Sequence, residues 1–276
     1  MHPLQIDFAR AGLPLELRMV PLAAARGEDT EQIVQMDISR EPRKRGPLER
    51  FRIYRGNEGN RLEVLGMNES IQQLVLLVDE PSRPFTVRVA TAVAQRRGLT
   101  VLRRERGSVL VEQHTTARER RFLCGMDEQH LFIALLPDAV ESVSDAHACL
   151  RDRRVDEAEA RSGQPAIRQG EWFFVPISGD EDHLVKHLAR KVHRARRHVG
   201  IAEAAGIRRV GRPHIAEEVL VVPGRAFELA DEAPRVYVRG AVQHPDHQTL
   251  VLLDWHLTFP NRESIEEPIE GIGWID

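Results

Sequence analysis

The chain has 276 residues, enough to bury a core without staples as one large domain or two modest ones. A formal charge of -3 with 29% charged residues leaves no global field to steer a partner. The two cysteines, Cys124 and Cys149, lack CxxC or CxxH spacing and exclude a secreted disulfide framework, and no apolar run approaches the roughly 18 residues of a membrane span. With no charged leader ahead of an apolar run at the start, these features predict a cytoplasmic protein that does not enter a membrane. All but three of its 39 basic residues are arginine, the lysines being Lys44, Lys186 and Lys191; the arginines spread along the whole chain and read as genomic composition rather than as a binding patch.

In chain order, EQIVQMDI alternates and runs into REPRKRGP, a polar basic stretch with two prolines that reads as an exposed loop. ERFRIYRG and RLEVLGM flank the turn formers NEGN, predicting a hairpin over Glu49 to Met67, with QQLVLLVDEP as a third strand. FTVRVATAVAQRRG fits a strand running into a helix that stops at Gly98. SVLVEQ and HLFIALLP are two further strands, separated by HTTARERRFLCGMDEQ. An Ala-, Glu- and Arg-rich stretch predicts a helix over Glu141 to Leu150 with a polar continuation closing on Ser162-Gly163, and GEWFFVPI is a buried strand.

Gly179 to Gly200 reads as a basic amphipathic helix. Asp180, Glu181 and Asp182 suit the positive end of a helix dipole, and Arg194, Arg196, Arg197 and His198 suit the negative end. Leu184, Leu188, Val192, Ala195 and Val199 form one apolar stripe. Over 180–199, Lys186, Arg190, Lys191, Arg194 and Arg197 are candidate nucleic-acid contacts, with phosphate neutralisation as the chemistry. The competing reading is a solvated face, favoured by an aromatic content of only 5%, too sparse for base stacking. His183 and His187 lie four apart but lack the glutamate of HExxH.

These segments predict an α+β fold, mostly antiparallel β-sheet with a few helices, one of them the basic amphipathic helix in the C-terminal half. The expected organisation is a β-rich N-terminal unit over 1–138, a helical connector over 139–166 and an α+β C-terminal unit over 167–276.

Catalytic vocabulary is thin: GxGxxG, GxxxxGK[ST] and GxSxG are all absent. Cys124 and His130 supply the residue types of a thiolate-imidazole pair, although a cysteine between Leu123 and Gly125 also fits a small buried hydrophobe. The stretch HPDHQTLVLLDWH, 244–256, is denser. Pro245 presets a turn, so the segment reads as a hairpin with its tip at His244 to His247. Along a straight strand His256 lies roughly 30 Å from His247, which excludes it from a metal held at the tip. The candidate ligands are therefore His244, Asp246 and His247, with His214 of GRPHIAEE as a fourth from a neighbouring loop. Alternation places Trp255 in the core and turns His256 outward beside Asp254.

Three functions follow. The first is an intracellular accessory or interaction protein, with an unknown protein partner and no chemistry of its own. The second is a hydrolase dependent on a divalent metal at 244–247, and the third is a nucleic-acid binder through 180–199.

Overall fold

The structure, a computed structural model, describes residues 2–22, 32–42, 48–114, 116–191, 195–208, 212–224 and 234–263. The loop predicted over 40–47 lies outside the described residues from 43 onward. The fold is α+β and mostly antiparallel, and it divides into two compact units. Residues up to 125, with 141–143, form the first; residues 126–140 and 144–263 form the second.

The first unit runs α1 (Pro3–Arg10), β1 (Leu15–Arg18), β2 (Gln35–Glu41), β3 (Leu48–Tyr54), β4 (Arg61–Asn68), β5 (Gln73–Glu80), β6 (Pro84–Ala90), α2 (Thr91–Arg97), β7 (Val101–Arg104), β8 (Ser108–His114) and β9 (Arg118–Asp127), whose last two residues enter the second unit. The strands of the predicted 49–67 hairpin exist but do not pair. Strand β3 lies between β1 and β2, while β4 pairs with β5. The intervening turn is tied elsewhere, since Asn60 Nδ2 donates to the carbonyl of Gln32 at 2.8 Å, and β3 and β4 lie in separate sheets. The stretch read as a mere separator contains β9. It pairs along the length of β5, and Phe122, Leu123 and Cys124 are buried there despite the charged RERR that opens it. QLVLLVDE of β5 is buried at nearly every position, as a central strand must be. The helix α2 closes on Gly98 at φ +62, the stop that the sequence marks.

The second unit contains β10 (His130–Leu135), α3 (Val143–Leu150), α4 (Arg153–Ser162), β11 (Ile167–Gln169), β12 (Trp172–Pro176), α5 (Gly179–Lys191), β13 (Arg196–Gly200), α6 (Ile201–Ala205), β14 (Ile215–Val222), β15 (Arg235–His244) and β16 (His247–Pro260). Six strands make one antiparallel sheet in the order β11-β12-β16-β15-β14-β13. Both faces are covered. On one, Val155 and Ala158 of α4 and Val185 and Leu188 of α5 pack against Val175, Tyr237, Trp255 and Leu257. On the other, Ile201 and Ala204 of α6 pack against Phe174, Val219, Val238 and Leu252. The helix predicted over 141–150 is α3, and its polar continuation is a separate helix, α4, whose start Asp152 caps by accepting from Arg154 N at 2.8 Å.

Double coverage corrects one reading. His256 is 8% exposed and Thr258 7%, so this face is core as well, while Trp255 is buried as alternation requires. The His256 imidazole donates from Nδ1 to the backbone carbonyl of Asp254 at 2.8 Å, while the Asp254 carboxylate lies out beside Lys186.

The basic helix is shorter than predicted. It ends by Lys191, and Arg196–Gly200 is the edge strand β13, with Arg197 opposite Glu218. Pairing with β14 overrides a local charge pattern that favours helix. Its inward stripe is Val185, Leu188 and Ala189; Leu184 is exposed.

The hairpin of β15 and β16 is strongly curled. Val238 pairs with His256 and Gly240 with Leu252, so β16 carries two extra residues at this point. Gly240 has φ +86, and a side chain there would run into Glu217, which accepts from Ala241 N at 3.0 Å. The effect is measurable across the sheet. Trp172 pairs with both Gln169 and Pro260, yet the Gln169 side chain donates to the carbonyl of Gln248 at 2.5 Å. Twelve residues of straight strand would separate 248 from 260 by roughly 40 Å, and these contacts allow less than half of that.

Candidate metal centre

The curl brings the tip of the hairpin to the turn between β11 and β12. His244 and His247 face each other across the tip formed by Pro245 and Asp246. His214 stands just before β14, fixed by its carbonyl, which accepts from Ile201 N at 2.9 Å. Because Ile215 pairs with Gln243, the His214 ring falls beside that of His244.

The three rings form one cluster. Centroids lie 4.3 Å apart for His214 and His244, 5.0 Å for His244 and His247, and 5.5 Å for His214 and His247. One nitrogen from each lies within 4.8 Å of the others, the only such group of three or more potential ligands among the described residues. A tetrahedral zinc with Zn–N bonds near 2.05 Å sets nitrogens about 3.4 Å apart, so small ring rotations close the gap. Imidazole is a fitting donor for zinc, copper, nickel or iron.

Surrounding groups favour loading. His214 is 2% exposed, and neither of its ring nitrogens makes a hydrogen bond; the same holds for Nδ1 of His247. Buried nitrogens without partners are costly, and a cation would satisfy Nε2 of His214. Glu171 Oε1, which accepts from the Trp172 indole at 2.7 Å, lies 3.3 Å from His214 Nδ1. Glu128 Oε1 lies 3.7 Å from His247 Nδ1. In each case a carboxylate beside Nδ1 leaves Nε2 for a metal, the orientation that carboxylates impose on ligating histidines. Opposite is Gly170, at φ +55, where a Cβ would sit 2.9 Å from His247 Nε2 and 3.3 Å from His214 Nε2. Both nitrogens thus face one small space bounded by a residue without a side chain.

His244 is differently held. Its Nδ1 accepts from Asp246 N at 3.2 Å, and Nε2 donates to the carbonyl of Arg212 at 3.0 Å. It must exchange one of these bonds to become a ligand. Burial lowers the pKa of both His244 and His247, reinforced by charge on the neighbouring imidazoles. Neutral rings with lone pairs are the form a metal needs.

Of the sequence candidates, His214, His244 and His247 come together. Asp246 does not join their group; its Oδ1 lies 3.4 Å from Arg212. Cys124 sits inside the sheet of the first unit, and burial pushes its thiol far up, against the thiolate a nucleophile paired with His130 would require. Lys186 is bound to Asp182 at 2.5 Å and Arg197 to Glu218 at 3.3 Å, whereas Arg190 is exposed on α5. The side chain of Lys191 and all of Arg194 lie outside the described residues. Sequence reasoning missed Gly170, Glu171 and Glu128, which nothing local to HPDH indicates. Compared with protein-family models, curated proteins and solved structures, the chain matches none.

Proposed function

We propose that this chain binds one divalent transition metal, zinc in the first instance, through His214, His244 and His247, and that metal-assisted hydrolysis is the reaction class it serves. The observation that carries the reading is the convergence of three imidazoles, two of them with buried nitrogens that have no hydrogen-bond partner, on the space faced by Gly170. A three-histidine set leaves a fourth position for water, whose pKa a bound zinc would lower toward neutrality. The chain's own residues hold and orient: Glu171 stands behind His214, and Glu128 stands behind His247. An accessory protein without chemistry is the reading this displaces.

The test is elemental analysis of protein purified without a histidine tag, followed by zinc and cobalt titration of the chelator-treated chain. One equivalent of metal, lost in His214→Ala and His247→Ala but kept in His256→Ala, is the expected result. No stoichiometric binding at micromolar metal, or binding indifferent to His214, would overturn the metal reading. Hydrolysis is tested separately, by turnover of activated esters that follows metal content.

A further inference from the structure

At the base of the same hairpin lies a second feature with different chemistry. A cavity of about 460 Å³ is lined by apolar residues including Trp172, Ile207 and Phe259 and by Arg154, Arg161 and Arg235. Its volume falls in the range of small-molecule sites. The Arg154 guanidinium lies 5.6 Å from the centre of the Phe259 ring and is also held by Asp152, and Arg235 lies 3.4 Å from Glu181. The one acidic residue of the wall, Glu157, is engaged by Arg153 at 3.1 Å. Arg161, in the last turn of α4, has no ion pair or hydrogen bond among the described residues.

We infer that this cavity binds a small carboxylate with an apolar body, an aryl- or alkyl-carboxylate. The apolar part rests on Trp172 and Ile207, and the carboxylate meets Arg161, whose planar fork matches it in bidentate fashion. Concavity argues for a small molecule rather than a protein surface, and with Arg154, Arg235 and Glu157 each paired to an opposite charge, the guanidinium of Arg161 is what argues for an anion. The inference is independent of the metal.

Calorimetric titration of the chelator-treated full chain tests it, with phenylbutyrate, its primary amide and inorganic phosphate as probes. The carboxylate binds saturably at one site per chain. The amide binds about tenfold more weakly or worse, and phosphate alone does not compete. Arg161→Gln, an exposed change that leaves the core untouched, weakens the carboxylate to the level of the amide, and Ile207→Gln weakens both. Equal affinity for acid and amide, unchanged affinity in Arg161→Gln, competition by phosphate alone, or no saturable binding across a series of aryl and alkyl carboxylates would each overturn it.

Discussion

Each unit buries a polar cluster, and the two clusters are finished in different ways. In the first unit Glu80 and Arg120 are both nearly inaccessible. One carboxylate oxygen accepts from Val34 N at 2.6 Å, and the other meets the guanidinium at 2.5 Å. The charges close on each other and on backbone, although the buried Nε of Arg120 makes no hydrogen bond. In the second unit His214 and His244 are buried as deeply, but His214 has no hydrogen bond to either ring nitrogen, and the cluster faces a glycine. A cluster in which opposite charges meet is structural; a cluster of three imidazoles around a space faced by a glycine has room for a cation.

The largest expected effect is on the closed pair. Arg120→Met strands a buried carboxylate and should cost about 3–5 kcal/mol in urea unfolding. His214→Leu in the metal-free chain should cost close to nothing or stabilise, because it removes two unsatisfied nitrogens. Equal destabilisation by the two would erase the distinction. Zinc at a hundredfold its dissociation constant should then raise wild-type stability by about 2.7 kcal/mol and leave His214→Leu unchanged.

Within the cluster the ligands should rank unequally. His244 surrenders a backbone bond to bind, so in chelator competition His244→Ala should retain more affinity than His214→Ala or His247→Ala. Glu171→Gln, which keeps shape but not charge, should weaken zinc about 10–100-fold. Retained affinity there would show that the carboxylate does not orient His214.

His256 provides a pH contrast away from the ligands. Burial lowers its pKa, with the bond to the Asp254 carbonyl partly opposing. The group therefore stabilises fully above its unfolded value of about 6.5, and that stability is lost as pH falls through the unfolded value and on through the lower folded one. His256→Gln should flatten the acid limb of stability between about pH 7.5 and 5. The smallest effects belong to the exposed ion pairs: Lys186→Gln and Arg197→Gln should each change stability by less than about 1 kcal/mol.

What was legible in the sequence was local. Pro245 and Asp246 announce a tip, Gly98 a helix stop, and the apolar run of β5 a central strand, because each depends on neighbours in the chain. What was hidden depends on pairing. Arg196 to Val199 look helical until β14 is beside them. His256 looks exposed until a second helical layer covers the sheet, and the two extra residues opposite Gly240 in β16 are visible only once β15 is beside it. Glu171 and Glu128 arrive from turns some 75 and 120 residues away from the tip, beyond any spacing rule.

The bend at Gly240 also sets when the histidine cluster can exist. An isolated 235–260 hairpin would contain His244 and His247, yet neither His214 nor the Gly170 turn that walls them in. The cluster assembles only after β11, β12 and β14 have joined the hairpin, contacts of long sequence separation that form slowly. Metal capture during refolding should consequently lag behind the appearance of secondary structure, and a bound ion would act as a latch on the final closure of the sheet.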